Sequence, residues 1–380
     1  MRPHEVIKFV KTIYETDEFI PLHAPLFSGN EKAYLMDVID STFVSSVGQY
    51  VDKFETMITQ ITGAKYAIAT VNGTSALHSC LILAGVEKED QVITQPLTFV
   101  ATANAISYCG AEPLFVDVNR HNLGMDALKL EQFLVENAET DGSSCINKKT
   151  KQRISACVPM HTYGFCANIE QIAKICKKWN IPLIEDAAES LGTYNGQVHT
   201  GNYGLLSAIS FNGNKVVTSG GGGVIITNDE KIAKRAKHIT TTAKTPHNWN
   251  YVHDEIGFNY RMPNINAALA CAQLEKLDIY LKSKRNIALR YKDFFANSDI
   301  EFVFEATGTT ANYWLNTLIL RNKNLRDEFL NDTNANKIMT RPAWEILNKL
   351  SMFSQCQTGN LDNANWLVDR IVNLPSSAKV

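Results

Sequence analysis

A lone lysine, Lys215, ends the stretch Ser210-Phe211-Asn212-Gly213-Asn214-Lys215, shortly ahead of the glycine run Gly220–Gly223. It lies between two short apolar stretches, Ala208 to Phe211 and Val224 to Thr227. An amine on such a turn can reach into a cleft as a nucleophile, and glycines let backbone or ligand approach closely. On spacing alone it reads first as a solvated loop charge, as most loop lysines are. Upstream, Pro182-Leu183-Ile184 runs into Glu185-Asp186-Ala187-Ala188-Glu189-Ser190, an apolar strand followed by acids. Ligands of open α/β sheets bind outside the carboxyl ends of the strands. Asp186 is therefore placed to meet a cationic ring nitrogen, or else to sit at a helix N-terminus, which also favours acids. The third element is Ala67 to Val71 followed by Asn72-Gly73-Thr74-Ser75-Ala76-Leu77, a strand, a glycine turn and a helix start. Hydroxyls and bare N–H groups at a helix N-terminus form a phosphate site, and Thr or Ser there also serve as ordinary caps. Neither GxGxxG nor GxxxxGK[ST] occurs at this turn, which weighs against nicotinamide dinucleotides and nucleoside triphosphates.

Together the three elements offer a phosphate cup, an acid for a pyridinium and an amine for an aldehyde. Pyridoxal 5′-phosphate requires those three partners.

At this point the chain resembles the DegT/DnrJ/StrS family of sugar aminotransferases. The resemblance rests on Asn72 to Leu77, Thr98-Phe99, Glu185 to Ser190, Ser210 to Lys215, Gly220 to Gly223 and Gly257-Phe258-Asn259-Tyr260-Arg261-Met262. Ser45-Ser46-Val47-Gly48 and Asn312-Tyr313-Trp314-Leu315 add to it, so that the likeness spans about residues 20–378. It implies an α/β fold of the aspartate-aminotransferase type (PLP fold type I). Such a fold has a large domain with a mostly parallel seven-stranded sheet and a smaller C-terminal α/β domain. The nearest branch by these motifs aminates UDP-linked 4-keto-6-deoxy-N-acetylhexosamines, on routes to bacillosamine and legionaminic acid.

The resemblance also implies roles. Lys215 matches the lysine that forms the Schiff base with the cofactor and later moves a proton between cofactor and sugar carbon. Asp186 matches the acid paired with the ring nitrogen. Gly73, Thr74 and Ser75 match the phosphate cup, joined by the Ser210 hydroxyl, and Phe99 matches an aromatic stacked on the ring. Asn259 matches a residue that reaches the cofactor phosphate of a neighbouring subunit, which implies a homodimer with active sites at its interface. Tyr313 falls in a stretch that approaches the nucleotide sugar. Many relatives carry Gln or His where this chain has Glu189; a cofactor contact is expected there, with its role open. Relatives that deoxygenate sugars carry His in place of the Schiff-base lysine, and Lys215 argues against that chemistry.

The elements that must position these residues follow from periodicity. From Tyr66 to about His238, short apolar strands alternate with helical segments, the pattern of a largely parallel sheet covered by helices. The expected strands are Tyr66 to Val71, Gln91 to Thr94, Pro113 to Val118, Ile154 to Met160, Pro182 to Glu185, Ala208 to Phe211 and Val224 to Thr227. Residues 1–19 read as a helical extension, 20–262 as the cofactor domain and 263–380 as the small domain. The polar and aromatic stretch Thr240 to Asn259 reads as a long loop crossing the dimer interface. His161, at another strand end, reads either as a site residue or as a satisfied histidine near the core, and no catalytic role is assigned to it.

At 380 residues and 45% hydrophobic, the chain is long enough for two domains with large cores. Its 37 basic and 39 acidic residues give a net charge of −2, so no basic footprint for nucleic acid or an anionic membrane is expected. The eight cysteines show no C-x-x-C pair, which points to neither zinc nor a disulfide framework and suits a reducing cytoplasm. No apolar run long enough to cross a membrane and no signal peptide is seen, and a cytoplasmic location is expected. The expected reaction moves an amino group from L-glutamate, through pyridoxamine 5′-phosphate, to the C4 ketone of a nucleotide-linked 4-keto-6-deoxy sugar. UDP-2-acetamido-2,6-dideoxy-4-ketohexose is the first expectation for that sugar. The alternatives are a perosamine-type enzyme acting on GDP-4-keto-6-deoxymannose and a non-catalytic, cofactor-binding regulator.

Overall fold

Seven short strands, the first five of them separated by helices, meet in one sheet in the computed structural model, which describes residues 3–379. They are β1 (Tyr66–Thr70), β2 (Gln91–Thr94), β3 (Glu112–Phe115), β4 (Arg153–Val158), β5 (Ile184–Asp186), β6 (Leu206–Ser210) and β7 (Gly223–Thr227). Each overlaps one of the seven strands expected from the sequence. Their spatial order is β3-β2-β4-β5-β6-β7-β1. The β4–β5 contact consists of two parallel bridges, Cys157 to Leu183 and Met160 to Asp186, rather than a full ladder.

All neighbours run parallel except β7, which is antiparallel to both β6 and β1. That single reversal matters for the site. It sets the first residue of β7, Gly223, opposite the last residues of its neighbours, Thr70 and Ser210. The strands β2 and β7 are buried along their whole length, as continuous apolar runs inside a helix-covered sheet should be. The helices Gly73–Leu83, Val100–Tyr108, Ala127–Asn137 and Ile169–Lys178 connect the first five strands, and Glu230–Thr240 follows β7. Two of them start on aspartate caps, Asp126 and Asp229, each accepting two backbone N–H groups.

Beyond Pro263, the helices Asn264–Leu274 and Leu277–Phe295 lead into a four-stranded antiparallel sheet. Its order is Glu301–Phe302, Asn316–Ile319, Ile371–Leu374, Arg341–Pro342. The N-terminal helix Pro3–Tyr14 presents Val6, Val10 and Ile13 along one stripe. This stripe packs into the core formed by Ile287, Tyr291, Phe295, Leu318, Phe329 and Val372, so the first and last parts of the chain share one hydrophobic cluster. The stretch 240–259 folds back on itself through bridges from Thr241 to Asn259 and from Lys244 to His253. It leaves Trp249, Tyr251 and Ile256 more than 70% exposed. No helix among the described residues is long and apolar enough to cross a membrane, and no cluster of metal-ligating side chains occurs among them. All eight cysteines are free.

Candidate active site

The carboxyl ends of the parallel strands open onto a cavity of about 300 Å³. Gly73, Thr74, Phe99, Asp186, Glu189, Ser210 and Lys215 all line it, although they come from four separate stretches of chain. Sequence neighbours alone could not have brought them together.

The phosphate-type end is built by Asn72. Its backbone is extended, as an N-cap's is, and its side chain caps the helix Gly73–Leu83 by accepting the Ser75 N–H at 2.8 Å. The Ser75 amide is thereby used, and the residue itself is buried away from the cavity wall. Gly73 and Thr74 keep N–H groups with no partner among the described residues, at the positive end of the helix. The glycines are required by close approach. A Cβ on Gly73 would lie 2.8 Å from Ser210 Cβ, and one on Gly223 would lie 2.4 Å from the Asn72 carbonyl oxygen.

At the other end stands Asp186, the last residue of β5. Strand alternation sends it and its neighbour Glu185 to opposite faces. Asp186 faces the cavity, with Oδ2 accepting from Thr102 Oγ1 at 2.7 Å and Oδ1 accepting from the Ala188 N–H at 3.2 Å. No cation lies within ion-pair distance of it among the described residues, and burial raises its pKa above the ordinary carboxylate value. Glu185 is fully buried behind it and accepts from the Gly201, Tyr203 and Gly204 amides and from His161 Nε2 at 3.0 Å. His161 Nδ1 accepts the Ala167 N–H, so the ring proton sits on Nε2. His161 is thus a satisfied buried histidine, outside the cavity.

Lys215 lies between the two ends. Its Nζ is 3.1 Å from Glu189 Oε1 and 3.9 Å from the centroid of the Trp314 ring. The Trp314 indole N–H donates to the Asn214 carbonyl at 2.7 Å, which ties the ring to the loop that carries the lysine. Glu189 is almost wholly buried, and burial pushes its pKa up to about 7.

These groups suit pyridoxal phosphate. The amides of Gly73 and Thr74 with the Thr74 and Ser210 hydroxyls would take the phosphate. The cation-free carboxylate of Asp186 would take the ring nitrogen, and Lys215 the aldehyde. Two expected residues lie elsewhere in this chain. Tyr313, expected near the sugar, is completely buried between Phe165 and Phe304, and its neighbour Trp314 lines the cavity instead. The backbone at Tyr313 is left-handed (φ 50°), so the chain is not a regular strand there. Asn259 is exposed, outside the cavity, and bonded to Arg261. Sequence reasoning missed Thr102, Met160, Asn212, Asn214 and Trp344.

Residues 26–380 match the DegT/DnrJ/EryC1/StrS aminotransferase family. A GDP-perosamine synthase of Escherichia coli O157:H7 is 36% identical over 362 residues, covering 94% of this chain and 93% of that protein. The putative pyridoxal phosphate-dependent aminotransferase EpsN of Bacillus subtilis is 36% identical over 335 residues, covering 88% and 84%. A DegT DnrJ EryC1 StrS aminotransferase from Brucella abortus superposes with a TM-score of 0.83 at 25% identity, covering 91% of this chain and 90% of that one.

Proposed function

The chain belongs to the DegT/DnrJ/EryC1/StrS aminotransferase family and is a pyridoxal phosphate-dependent sugar aminotransferase; on that premise we propose that it aminates the C4 ketone of GDP-4-keto-6-deoxymannose, with L-glutamate as donor. The observation that carries the chemistry is the convergence of Lys215, Asp186 and the capped helix start at Gly73 on one cavity. What supports GDP over the UDP-linked acetamido sugar expected from the motifs is the likeness to a GDP-perosamine synthase along 94% of the chain.

When bound, the cofactor supplies an aldehyde that condenses with amines and a cationic ring that accepts electrons from the carbon undergoing proton transfer. The protein does the rest. Gly73, Thr74 and Ser210 hold the phosphate end, with Ser75 serving through its place in the capped first turn. Asp186, oriented by Thr102 and Ala188, stabilises the positive charge on the ring nitrogen. Phe99, half exposed at the cavity wall, offers a face for stacking. Lys215 acts first as nucleophile and then, once released, as the base that moves the proton at the carbon bearing nitrogen. Trp314 and Trp344 close the side of the cavity nearest the small domain.

The active unit is a homodimer in this proposal. The apolar side chains of Trp249, Tyr251 and Ile256 would be covered by a second copy, and Asn259 would reach the phosphate end of that copy's site. A two-fold contact repeats this arrangement at both sites. Sedimentation velocity tests it, since a monomer with full activity would remove the assignment of Asn259.

The deciding experiment is the visible spectrum of the protein with pyridoxal phosphate, before and after L-glutamate, followed by paired assays with GDP- and UDP-linked 4-keto-6-deoxy sugars. A Schiff-base band that disappears with glutamate, and faster turnover of the GDP sugar, are expected. Faster turnover of the UDP-linked acetamido sugar would reverse the nucleotide assignment while leaving the aminotransferase chemistry in place.

A further inference from the structure

We propose that Glu189 is the proton acceptor that discharges the Lys215 ammonium, so that the two side chains share one proton and present a neutral amine to a carbonyl without first exchanging a proton with solvent. The inference rests on the reading of Lys215 as the nucleophile and assigns a chemical role to the acid beside it.

The geometry is specific. Glu189 Oε2 is occupied by the Tyr163 N–H at 2.9 Å, which leaves Oε1 directed at Lys215 Nζ, 3.1 Å away. The Glu189 backbone is itself fixed, because its carbonyl accepts from Asn312 Nδ2 at 2.8 Å. On the opposite side, the Trp314 face limits where the ammonium can go. The carboxyl therefore has one oxygen anchored and one free to take a proton, at hydrogen-bond distance from the only amine lining the cavity among the described residues.

The transfer is simple to balance. An Nζ–H bond breaks, an Oε1–H bond forms, and the electron pair of the broken bond stays on Nζ as the nucleophilic lone pair. After the amine adds to an aldehyde, the carboxylic acid returns the proton to the oxygen that leaves as water, and Glu189 is again a carboxylate.

In water, a carboxylate and an amine differ by about six pK units, and the uncharged pair is scarcely populated. Burial changes this from the carboxyl side, because it penalises the charged carboxylate and raises its affinity for the proton. Glu189 shows this, with a pKa lifted to about 7 chiefly by burial and opposed by Lys215. The other titratable groups around the pair act in known directions. Asp186, on the same strand end, adds negative charge and raises Glu189 further. Tyr163 faces it from the adjoining turn and stays neutral, its own pKa raised by burial. His23 adjoins Lys215 from the N-terminal segment and is held neutral by burial and by the Lys284 and Lys215 charges. Lys284, buried beneath Trp314, has a lowered pKa and donates to the Trp314 and Ser376 carbonyls.

The test is the rate at which the apoprotein forms its visible Schiff-base band with added pyridoxal phosphate, followed by stopped flow between about pH 5 and about pH 9.5. In the unaltered protein the rate should rise to an inflection near 7 and then stay level, because the pair keeps a single shared proton above it. In Glu189→Gln the inflection should vanish and the rate should climb about tenfold per pH unit, starting about a hundredfold lower at neutrality. Glu189→Asp should restore an inflection with a lower plateau, which a purely structural role would not do. Melting curves of each apoprotein identify any variant that fails to fold. A band in the unaltered protein with the same pH profile in Glu189→Gln would overturn this inference alone. Absence of any band in the unaltered protein would overturn the reading of Lys215 as well.

Discussion

Thr102 Oγ1 donates to Asp186 Oδ2 at 2.7 Å, across 84 residues of sequence, while the Ala188 amide holds the other oxygen. Both carboxylate oxygens are thus oriented before any ligand arrives, and a cation entering the cavity meets a carboxylate that has no rotational freedom left to lose.

Replacing Thr102 by Val keeps the shape and deletes the donor. A hydrogen bond to a charged group contributes about 1.5–3 kcal/mol. The Thr102→Val protein is expected to bind pyridoxal phosphate roughly tenfold more weakly, as measured by fluorescence titration of the apoprotein. An unchanged dissociation constant would mean that Ala188 alone orients the acid.

Lys215 sits on a loop and supports no core packing, so Lys215→Ala should fold normally and form no Schiff-base band. Turnover should fall below detection. Retained activity in that variant would sink the assignment of the nucleophile, and a collapse of the melting transition would show that the lysine has a structural role absent from this account.

The glycine run makes a contrast between two neighbouring positions. A methyl on Gly223 would meet only backbone, at 2.4 Å from Asn72 O and 2.7 Å from Gly73 N, and nothing there can rotate away. Gly223→Ala is expected to lose about 1–3 kcal/mol of stability and to weaken cofactor binding by displacing the Asn72–Gly73 turn. At Gly221 the nearest atom lies at 4.0 Å, so Gly221→Ala should melt and bind as the unaltered protein does. Equal effects at both positions would refute the close-approach explanation.

The buried acids also predict how the apoprotein responds to pH. Glu189 titrates at about 7 rather than at its ordinary value of 4.5, and Asp186 is raised in the same direction, in both cases chiefly by burial. A carboxyl that binds its proton more tightly when folded contributes stability that is complete below its unfolded pKa and is lost as pH rises through the folded one. Relative to Glu189→Gln, the unaltered protein should therefore lose melting temperature between about pH 4.5 and about pH 7.5, with Glu189 responsible for about 3 kcal/mol at most. Glu189→Gln should flatten that part of the curve. A difference between the two proteins that stays constant across this window would contradict the burial argument.

Much of this site is legible along the chain because strand ends are locally encoded. An apolar run followed by a turn and a polar residue marks where a parallel strand delivers its side chain, and Lys215, Asp186 and the Asn72–Ser75 turn all follow that pattern. The aromatic pair Tyr313-Trp314 shows where such reading stops. The resemblance singles out the pair, but only the folded chain, left-handed at Tyr313, shows Trp314 lining the lysine's cavity and Tyr313 buried in the core. Thr102 and Trp344 carry no local mark. The first lies on a helix otherwise buried for packing, and the second lies in an irregular stretch of the small domain.

By itself, then, the sequence determined the seven strands, the kinds of groups at their ends and the family of chemistry those groups can perform. These depend on hydrophobic periodicity, turn residues and capping, all of which act over a few residues. Only the tertiary structure decided which distant groups meet. The reversal of β7 brings Gly223 against the Asn72 turn, the crossovers bring Thr102 to Asp186, and the loop after β6 swings Lys215 onto Glu189. Those pairings depend on how strands are ordered in the sheet, a property of the assembled core that no single stretch of chain contains.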